Sequence, residues 1–295
     1  MTSLRLHSMT DLTGRVALVT GGGTGIGRMI AHGLAVNGAK VYITGRRESV
    51  LHDVAEEGAR EALNLLPLKM DVTDKAAVED IVKLLREREG KLHILINNAG
   101  IAGPYASFIG DLSAPERKDT ETFGRALFDM QSFEDWNDVF QLNVAAIFFC
   151  TTAFMGLLNE GAKDLGVGET SSVINISSAI ASAHLSIGRF AYACSKAAVN
   201  HLTTMMATDF AIQKVPIRVN AIAPGYFPSQ MSAVTDFPRS IATETPTTGA
   251  VSAIPVKRPG REEEIVMAVL SLVAAAGYTN GQVIAVDGGY HLVNP

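Results

Sequence analysis

Tyr192 and Lys196 stand four residues apart in Tyr192-Ala193-Cys194-Ser195-Lys196, within a stretch that reads as helical. On a helix this spacing puts both side chains on one face, where i and i+4 neighbours touch. The chemistry on offer is acid–base catalysis. A free phenol titrates near pH ~10 and is a sluggish proton donor or acceptor at neutrality. A fixed ammonium beside it favours the phenolate and draws that value toward working pH. Taken alone, the pair is also what a solvated helix face looks like, so its meaning depends on the elements that would position it.

A second chemical feature is the turn Gly21-Gly22-Gly23-Thr24-Gly25-Ile26-Gly27, which follows a short apolar run, Arg15 to Thr20. Glycines allow a tight turn and let backbone approach a pyrophosphate, whose charge then rests on the N-terminus of the next helix. The spacing is Gly-x-x-x-Gly-x-Gly rather than Gly-x-Gly-x-x-Gly, and a purely structural turn remains an alternative. Where a NAD-binding chain would end its second strand on an acid, this one has Gly45-Arg46-Arg47. Gly45 does not repel a 2′-phosphate, and Arg46 offers a planar, permanently charged fork that suits one. The cofactor expected is therefore NADP(H) over NAD(H), although the two arginines and Glu48 could also open a solvated helix. Asp71-Val72 and Asn97-Asn98-Ala99-Gly100 end the third and fourth apolar runs, on the same edge of any parallel sheet.

These groups need a scaffold, and the hydrophobic pattern describes one. Apolar runs at Arg15–Thr20, Lys40–Thr44, Leu65–Met70, Leu92–Ile96, Val173–Ile176, Ile217–Ile222 and Gln282–Val286 read as buried strands. Helical stripes alternate with them, such as Ile26, Met29, Ile30, Leu34 and later Val78, Ile81, Val82, Leu85. Strand–helix alternation implies right-handed βαβ units. The fold class expected is α/β: a single-domain, Rossmann-type, doubly wound, seven-stranded parallel sheet with helices on both faces. It would span residues 12–295 behind a flexible leader, 1–11. Two segments break the rhythm: a polar, irregular insertion at 103–133 and a Ser/Thr/Pro-rich loop at 225–257, both of a length usually reserved for lids or insertions.

The 295 residues, 47% of them hydrophobic and 19% charged, suffice for one large core. A net charge of −5 argues against nucleic acid as a partner. Two cysteines, Cys150 and Cys194, make no disulfide framework and fit a reducing, cytoplasmic setting. No uninterrupted apolar run suggests a membrane span, and the scattered histidines have no metal-ligand spacing. Met205-Met206 reads as packing in the core or at a subunit interface, Phe148-Phe149 as buried packing, and Glu262-Glu263-Glu264 as a helix start favoured by the macrodipole.

Taken in order, the glycine turn, Asp71-Val72, Asn97-Asn98-Ala99-Gly100, Asn143, Ser177-Ser178, Tyr192-x-x-x-Lys196, Pro224-Gly225 and Val286-Asp287-Gly288-Gly289 resemble the short-chain dehydrogenase/reductase family from about Leu12 to the C-terminus. Gln141 to Val144 and Ala223 to Met231 are most similar to its β-ketoacyl reductase-like members, including the reductase of rhamnolipid synthesis. The insertion departs from them.

The resemblance implies hydride transfer between a nicotinamide and a carbonyl or alcohol carbon, with Asn143, Ser178, Tyr192 and Lys196 as the catalytic set. Tyr192 would protonate the carbonyl oxygen, Lys196 would lower the phenol's pKa and hold the ribose, and Ser178 would polarise the carbonyl. Asn143 would hold a water linking Lys196 to solvent. Ser178 lies fourteen residues before Tyr192 where relatives have thirteen, and Ser177 would face the other side if strand alternation persists. Cofactor contacts are expected from Gly21, Gly23, Thr24, Gly25, Ile26, Gly27, Arg46, Arg47, Asp71, Val72, Asn98, Ala99, Gly100, Tyr192, Lys196, Pro224, Gly225, Phe227 and Ser229. The function expected is NADPH-dependent reduction of a ketone, of β-ketoacyl or polyketide-like kind, to a secondary alcohol. The alternative is a non-redox lyase, isomerase or cyclase that retains NADP. The family also implies a homo-oligomer, tetramer or dimer.

Overall fold

The seven apolar runs form seven parallel strands: β1 Val16–Thr20, β2 Lys40–Gly45, β3 Leu65–Lys69, β4 Ile94–Asn97, β5 Ser171–Ile176, β6 Ile217–Pro224 and β7 Val283–Val286, in the order β3-β2-β1-β4-β5-β6-β7. The computed structural model describes residues 4–229, 252–275 and 277–294. Gln230, Met231 and most of the 225–257 loop lie outside them. The start of the expected leader carries one exposed helical turn, α1 Leu6–Met9.

Side-chain alternation along β1 shows how the layers form. Ala17 and Val19 enter one core, and Val16 and Leu18 the other. The first core is covered by α2 Gly25–Val36, α3 Glu48–Arg60 and α9 Glu262–Leu270, which contribute Ile30, Leu34, Leu51, Val54, Ile265 and Val269. The second is covered by α4 Lys75–Arg88, α7 Ala146–Leu165 and α8 Phe190–Ile212, through Leu85, Phe154, Leu157, Met206 and Phe210. The helix start expected at Glu262 is present, with the Glu264 carboxylate accepting the Arg261 N–H at 2.8 Å and pairing with Arg258.

Two expectations change. The insertion is not wholly irregular: after two short turns it carries α5 Thr120–Asp129, capped where Asp119 accepts the Thr122 N–H at 2.8 Å. A reciprocal Ser132–Asp135 box then opens α6 Phe133–Phe140. Secondly, Phe133–Leu165 runs as one continuous helix, long and apolar enough by length and composition to cross a membrane, with 44% of its most apolar window buried. Here it lies against β4 and β5 as a sheet-covering helix, and that position accounts for its apolarity. The buried His93 is structural: its Nδ1 accepts the Val16 N–H at 2.9 Å and its Nε2 bonds Asp164 at 3.0 Å.

Candidate active site

Because β1 pairs with both β2 and β4, successive crossovers leave in opposite directions and a crevice opens at the carboxyl edge between them. A cleft of about 310 Å³ lies there. It takes Gly21, Gly23, Thr24, Gly25 and Ile26 from the glycine turn, Arg46 and Arg47 from the end of β2, and Asp71 and Val72 after β3. Asn98, Ala99 and Gly100 follow β4, and Ser178, Tyr192, Lys196, Pro224, Gly225 and Ser229 complete the far end. Residues from distant parts of the sequence thus meet along one edge.

The turn is braced from β4. Asn98 Nδ2 donates to the carbonyls of Thr20 and Gly21, at 2.9 and 3.1 Å, and Thr20 Oγ1 accepts the Asn98 N–H at 2.9 Å. Gly27 sits beneath the turn rather than in the cleft; a Cβ there would collide with the Gly21 carbonyl and Asn98 Nδ2. Gly25 has φ +52°, and a Cβ on it would come within 2.8 Å of Ser229 Cβ. Ser229 therefore closes over the first turn of α2. At the other end, burial works to raise the Asp71 pKa, but hydrogen bonds from Thr73 and the nearby Arg46 hold it below the ordinary carboxylate value.

Lys196 is 4% exposed, and its Nζ donates to the Ile176 carbonyl at 2.7 Å. Burial pushes its pKa down to about 8. The ammonium lies 5.7 Å from the Tyr192 ring centre. Tyr192 keeps part of its surface open to the cleft, yet its phenol group is densely surrounded, and burial holds its pKa above the ordinary value. A hydrogen bond with Ser178 and the charge of Arg189 pull the other way. This differs from the expectation that Lys196 brings the phenol down. Arg189 adds a charge that lowers the phenol's pKa, and desolvation outweighs it.

The two serines separate as strand alternation suggests. Ser177 Oγ donates to Asn200 Oδ1 at 2.6 Å and to the Lys196 carbonyl at 3.2 Å, so its hydroxyl is committed to α8. Ser178 is the one that lines both the cleft and the adjoining cavity with Tyr192. Asn143 is fully buried in a π-helical turn, Gln141–Ala145, of the kind often found at functional sites. Its side chain accepts the Ile101 N–H and donates to the Ile101 carbonyl, both at 2.9 Å, and to Ser195 Oγ at 3.0 Å. Ser195 in turn donates to the Tyr192 carbonyl at 2.7 Å. The amide therefore ties the strand exit after β4 to the helical turn that carries the phenol.

A second cavity of about 190 Å³ adjoins the first and shares Ile26, Ser178, Tyr192, Pro224, Gly225 and Ser229 with it. Phe227, expected among the cofactor contacts, lies in this one and in the core. Sequence reasoning missed its other polar walls, Arg189 and Tyr290, and missed Thr44, whose buried Oγ1 in the large cleft has no partner among the described residues. Arg189 precedes Tyr192 by one helical turn, which was the available signal; Tyr290 gave none. The segment before α8 is strained, since β-branched Ile187 has φ +43°.

With this geometry in place, comparison with known proteins gives a consistent result. The short chain dehydrogenase family model matches residues 15–237. The short-chain dehydrogenase/reductase PhomF of Diaporthe leptostromiformis is 36% identical over 296 aligned positions, covering 99% of this chain and 97% of that protein. The rhamnolipids biosynthesis 3-oxoacyl-(acyl-carrier-protein) reductase of Pseudomonas aeruginosa is also 36% identical, over 97% of this chain and 100% of its own. A solved Pseudomonas aeruginosa RhlG/NADP active-site complex superposes with a TM-score of 0.79 at 32% identity, covering 96% of this chain and 98% of that one.

Proposed function

Since the chain belongs to the short-chain dehydrogenase/reductase family, we propose that it is an NADPH-dependent ketone reductase acting on a β-ketoacyl or polyketide-like carbonyl. Two features of the large cleft fit a dinucleotide. Gly21, Gly23, Thr24 and Gly25 line it at the α2 N-terminus, and the buried Thr44 Oγ1 among its walls has no partner among the described residues. The Gly21–Gly27 turn and the α2 N-terminus would hold the pyrophosphate, and Asp71 and Val72 the adenine end. Arg46 at the end of β2, where no acid stands, favours a 2′-phosphate. When bound, the reduced nicotinamide supplies the hydride.

The observation that carries this reading is that Tyr192 and Ser178 both line the place where the cleft meets the smaller cavity, with the Lys196 ammonium 5.7 Å from the Tyr192 ring. A phenol kept protonated by burial is a donor in the state that reduction requires. Ser178 orients the ketone oxygen toward it, Lys196 supplies positive charge beneath it, and Asn143 fixes the helical turn that presents it. Pro224, Gly225 and Ser229 bound the ring end of the cleft. The exposed Phe148 and Phe149 on α7 are suited to a subunit interface and support a homo-oligomer, while the unpaired Cys150 and Cys194 fit a reducing cytoplasm.

The test is to follow NADPH absorbance across aldehydes, β-keto esters and cyclic ketones. Consumption with β-keto esters ahead of aldehydes is expected. Tight NADPH binding with no consumption by any of them would shift the reading to a lyase, isomerase or cyclase.

A further inference from the structure

The 190 Å³ cavity beside the phenol is mostly apolar, and beyond Ser178, Tyr192, Tyr226 and Ser229 its polar walls are Arg189 and Tyr290. The Arg189 guanidinium is about half-buried and stacks over the Tyr105 ring at 4.7 Å. Among the described residues it has no carboxylate partner and donates no side-chain hydrogen bond. Tyr290 is 6% exposed, and among the described residues its hydroxyl, a buried oxygen, has no hydrogen-bond partner. Asp287 is the nearest acid acting on Tyr290, but its carboxylate accepts from Gly289 N at 2.9 Å, His291 N at 3.0 Å and the His291 ring. It is thus already committed.

A folded protein rarely keeps a buried phenol oxygen unpaired, because it has given up water without compensation, and the half-buried Arg189 on the same cavity wall has no carboxylate partner among the described residues. Arg189 is also held in place. Tyr105, from the insertion, stacks on it, and the Ala106 N–H donates to the Gly188 carbonyl at 2.8 Å. Gly188 has φ +76°, and a Cβ there would lie 2.5 Å from the Ala106 carbonyl oxygen. The insertion therefore serves as a wall that fixes a guanidinium at the mouth of the reaction centre. The residues that a fork-shaped donor and a hydroxyl together recognise best are the two oxygens of a carboxylate.

We propose that this cavity is a carboxylate subsite, in which Arg189 and Tyr290 bind an anionic group of a keto acid while its ketone lies against Tyr192 and Ser178. The proposal rests on the ketone-reductase reading and replaces its β-ketoacyl substrate with a keto acid that carries a free carboxylate near the reacting carbon. It also gives the insertion a role, since Tyr105 positions the guanidinium.

The experiment uses the full-length protein saturated with NADP+, so that a ketone binds without being reduced. Calorimetric affinities are measured for 3-oxohexanoate and its methyl ester. The acid should bind about tenfold to a hundredfold more tightly than the ester, the range for a hydrogen bond to a charged group. Arg189→Gln should abolish that preference, and Arg189→Lys should keep part of it. Tyr290→Phe should weaken the acid severalfold while leaving the melting temperature equal or higher, because the lost hydroxyl had no partner. If Arg189→Gln folds poorly, Tyr290→Phe carries the same decision. Equal affinity for acid and ester in the native protein would overturn the proposal, as would a preference that survives Arg189→Gln. NADPH consumption is a separate readout: an Arg189-dependent preference without turnover of either ketone would leave the subsite standing and remove the reductase reading.

Discussion

The floor of the large cleft is built from backbone, and the walls of the smaller cavity are built from side chains. Between Thr20 and Asn98, strand ends and a glycine turn supply N–H groups and space, and Asn98 braces the turn. Around the second cavity, Arg189, Tyr192 and Tyr290 converge from α8 and from the segment after β7, with Tyr105 behind Arg189. Backbone built this way suits a ligand whose shape does not vary, such as a dinucleotide. Side chains on loops can change without disturbing the sheet, and they suit a ligand that differs between relatives. The first region should therefore be intolerant of added atoms, and the second should be tolerant in fold and sensitive in specificity.

The largest effect expected falls where the two regions meet. Tyr192→Phe removes the proton donor common to both, and kcat/KM for ketone reduction should fall by roughly 10²–10⁴-fold, the usual worth of a positioned acid. NADPH affinity, measured by fluorescence titration, should change by less than about threefold, because the cradle is untouched. A Phe variant that keeps most of its activity would take the phenol out of the mechanism.

Two glycines sharpen the contrast. Gly27→Ala drives a methyl into the Gly21 carbonyl and the Asn98 brace, neither of which can yield without opening the turn. It should lose NADPH binding and about 1–3 kcal/mol of stability. Gly188→Ala drives a methyl into Ala106 and forces a residue with φ +76° to accept a side chain. It should leave NADPH affinity nearly intact while raising KM for the ketone, because only the insertion wall shifts. Equal losses of cofactor affinity in both variants would mean that the two regions are not separable. A smaller, finer probe is Arg46→Gln, which should narrow the preference for NADPH over NADH by about tenfold, consistent with one lost charge-assisted contact.

The same contrast decides what could be read in advance. All seven strands were legible, because a strand covered on both faces tends toward a short apolar run such as Val16–Thr20, and even Ile217–Ile222, which holds Arg218 and Asn220, keeps that pattern. The cradle was legible because its function limits which residues can stand there. α5 was hidden by the polarity of the insertion, although Asp119 before Thr120 and Ser132 before Asp135 were capping signals. Arg189 and Tyr290 were not legible as a pair, since their meeting depends on tertiary packing across about a hundred residues of chain. The electrostatics of Tyr192 were misread for a related reason. A spacing of four residues gives proximity, but the balance between burial and charge is fixed by every element around the phenol.

That balance can be tested on Lys196, where both regions share one buried cation. Burial lowers its pKa from 10.5 to about 8. Between those values the unfolded chain holds a proton that the folded protein does not, so stability rises with pH across the window. Below pH ~8 both states are charged and the folded protein bears the full burial penalty; above about 10.5 both are neutral and the penalty is gone. Lys196→Met removes the charge, so the variant should melt several degrees higher than the parent at pH 7. The gap should close as the pH rises from 8 to 10.5, read by calorimetry. Activity gives the opposite sign, because reduction that depends on the ammonium should decline in the parent as pH rises through about 8. A parent that is the more stable of the two at pH 7 would mean that the 2.7 Å bond from Nζ to the Ile176 carbonyl outweighs desolvation. The lysine would then belong to the well-satisfied frame of the cleft rather than to the unpaired groups beside it.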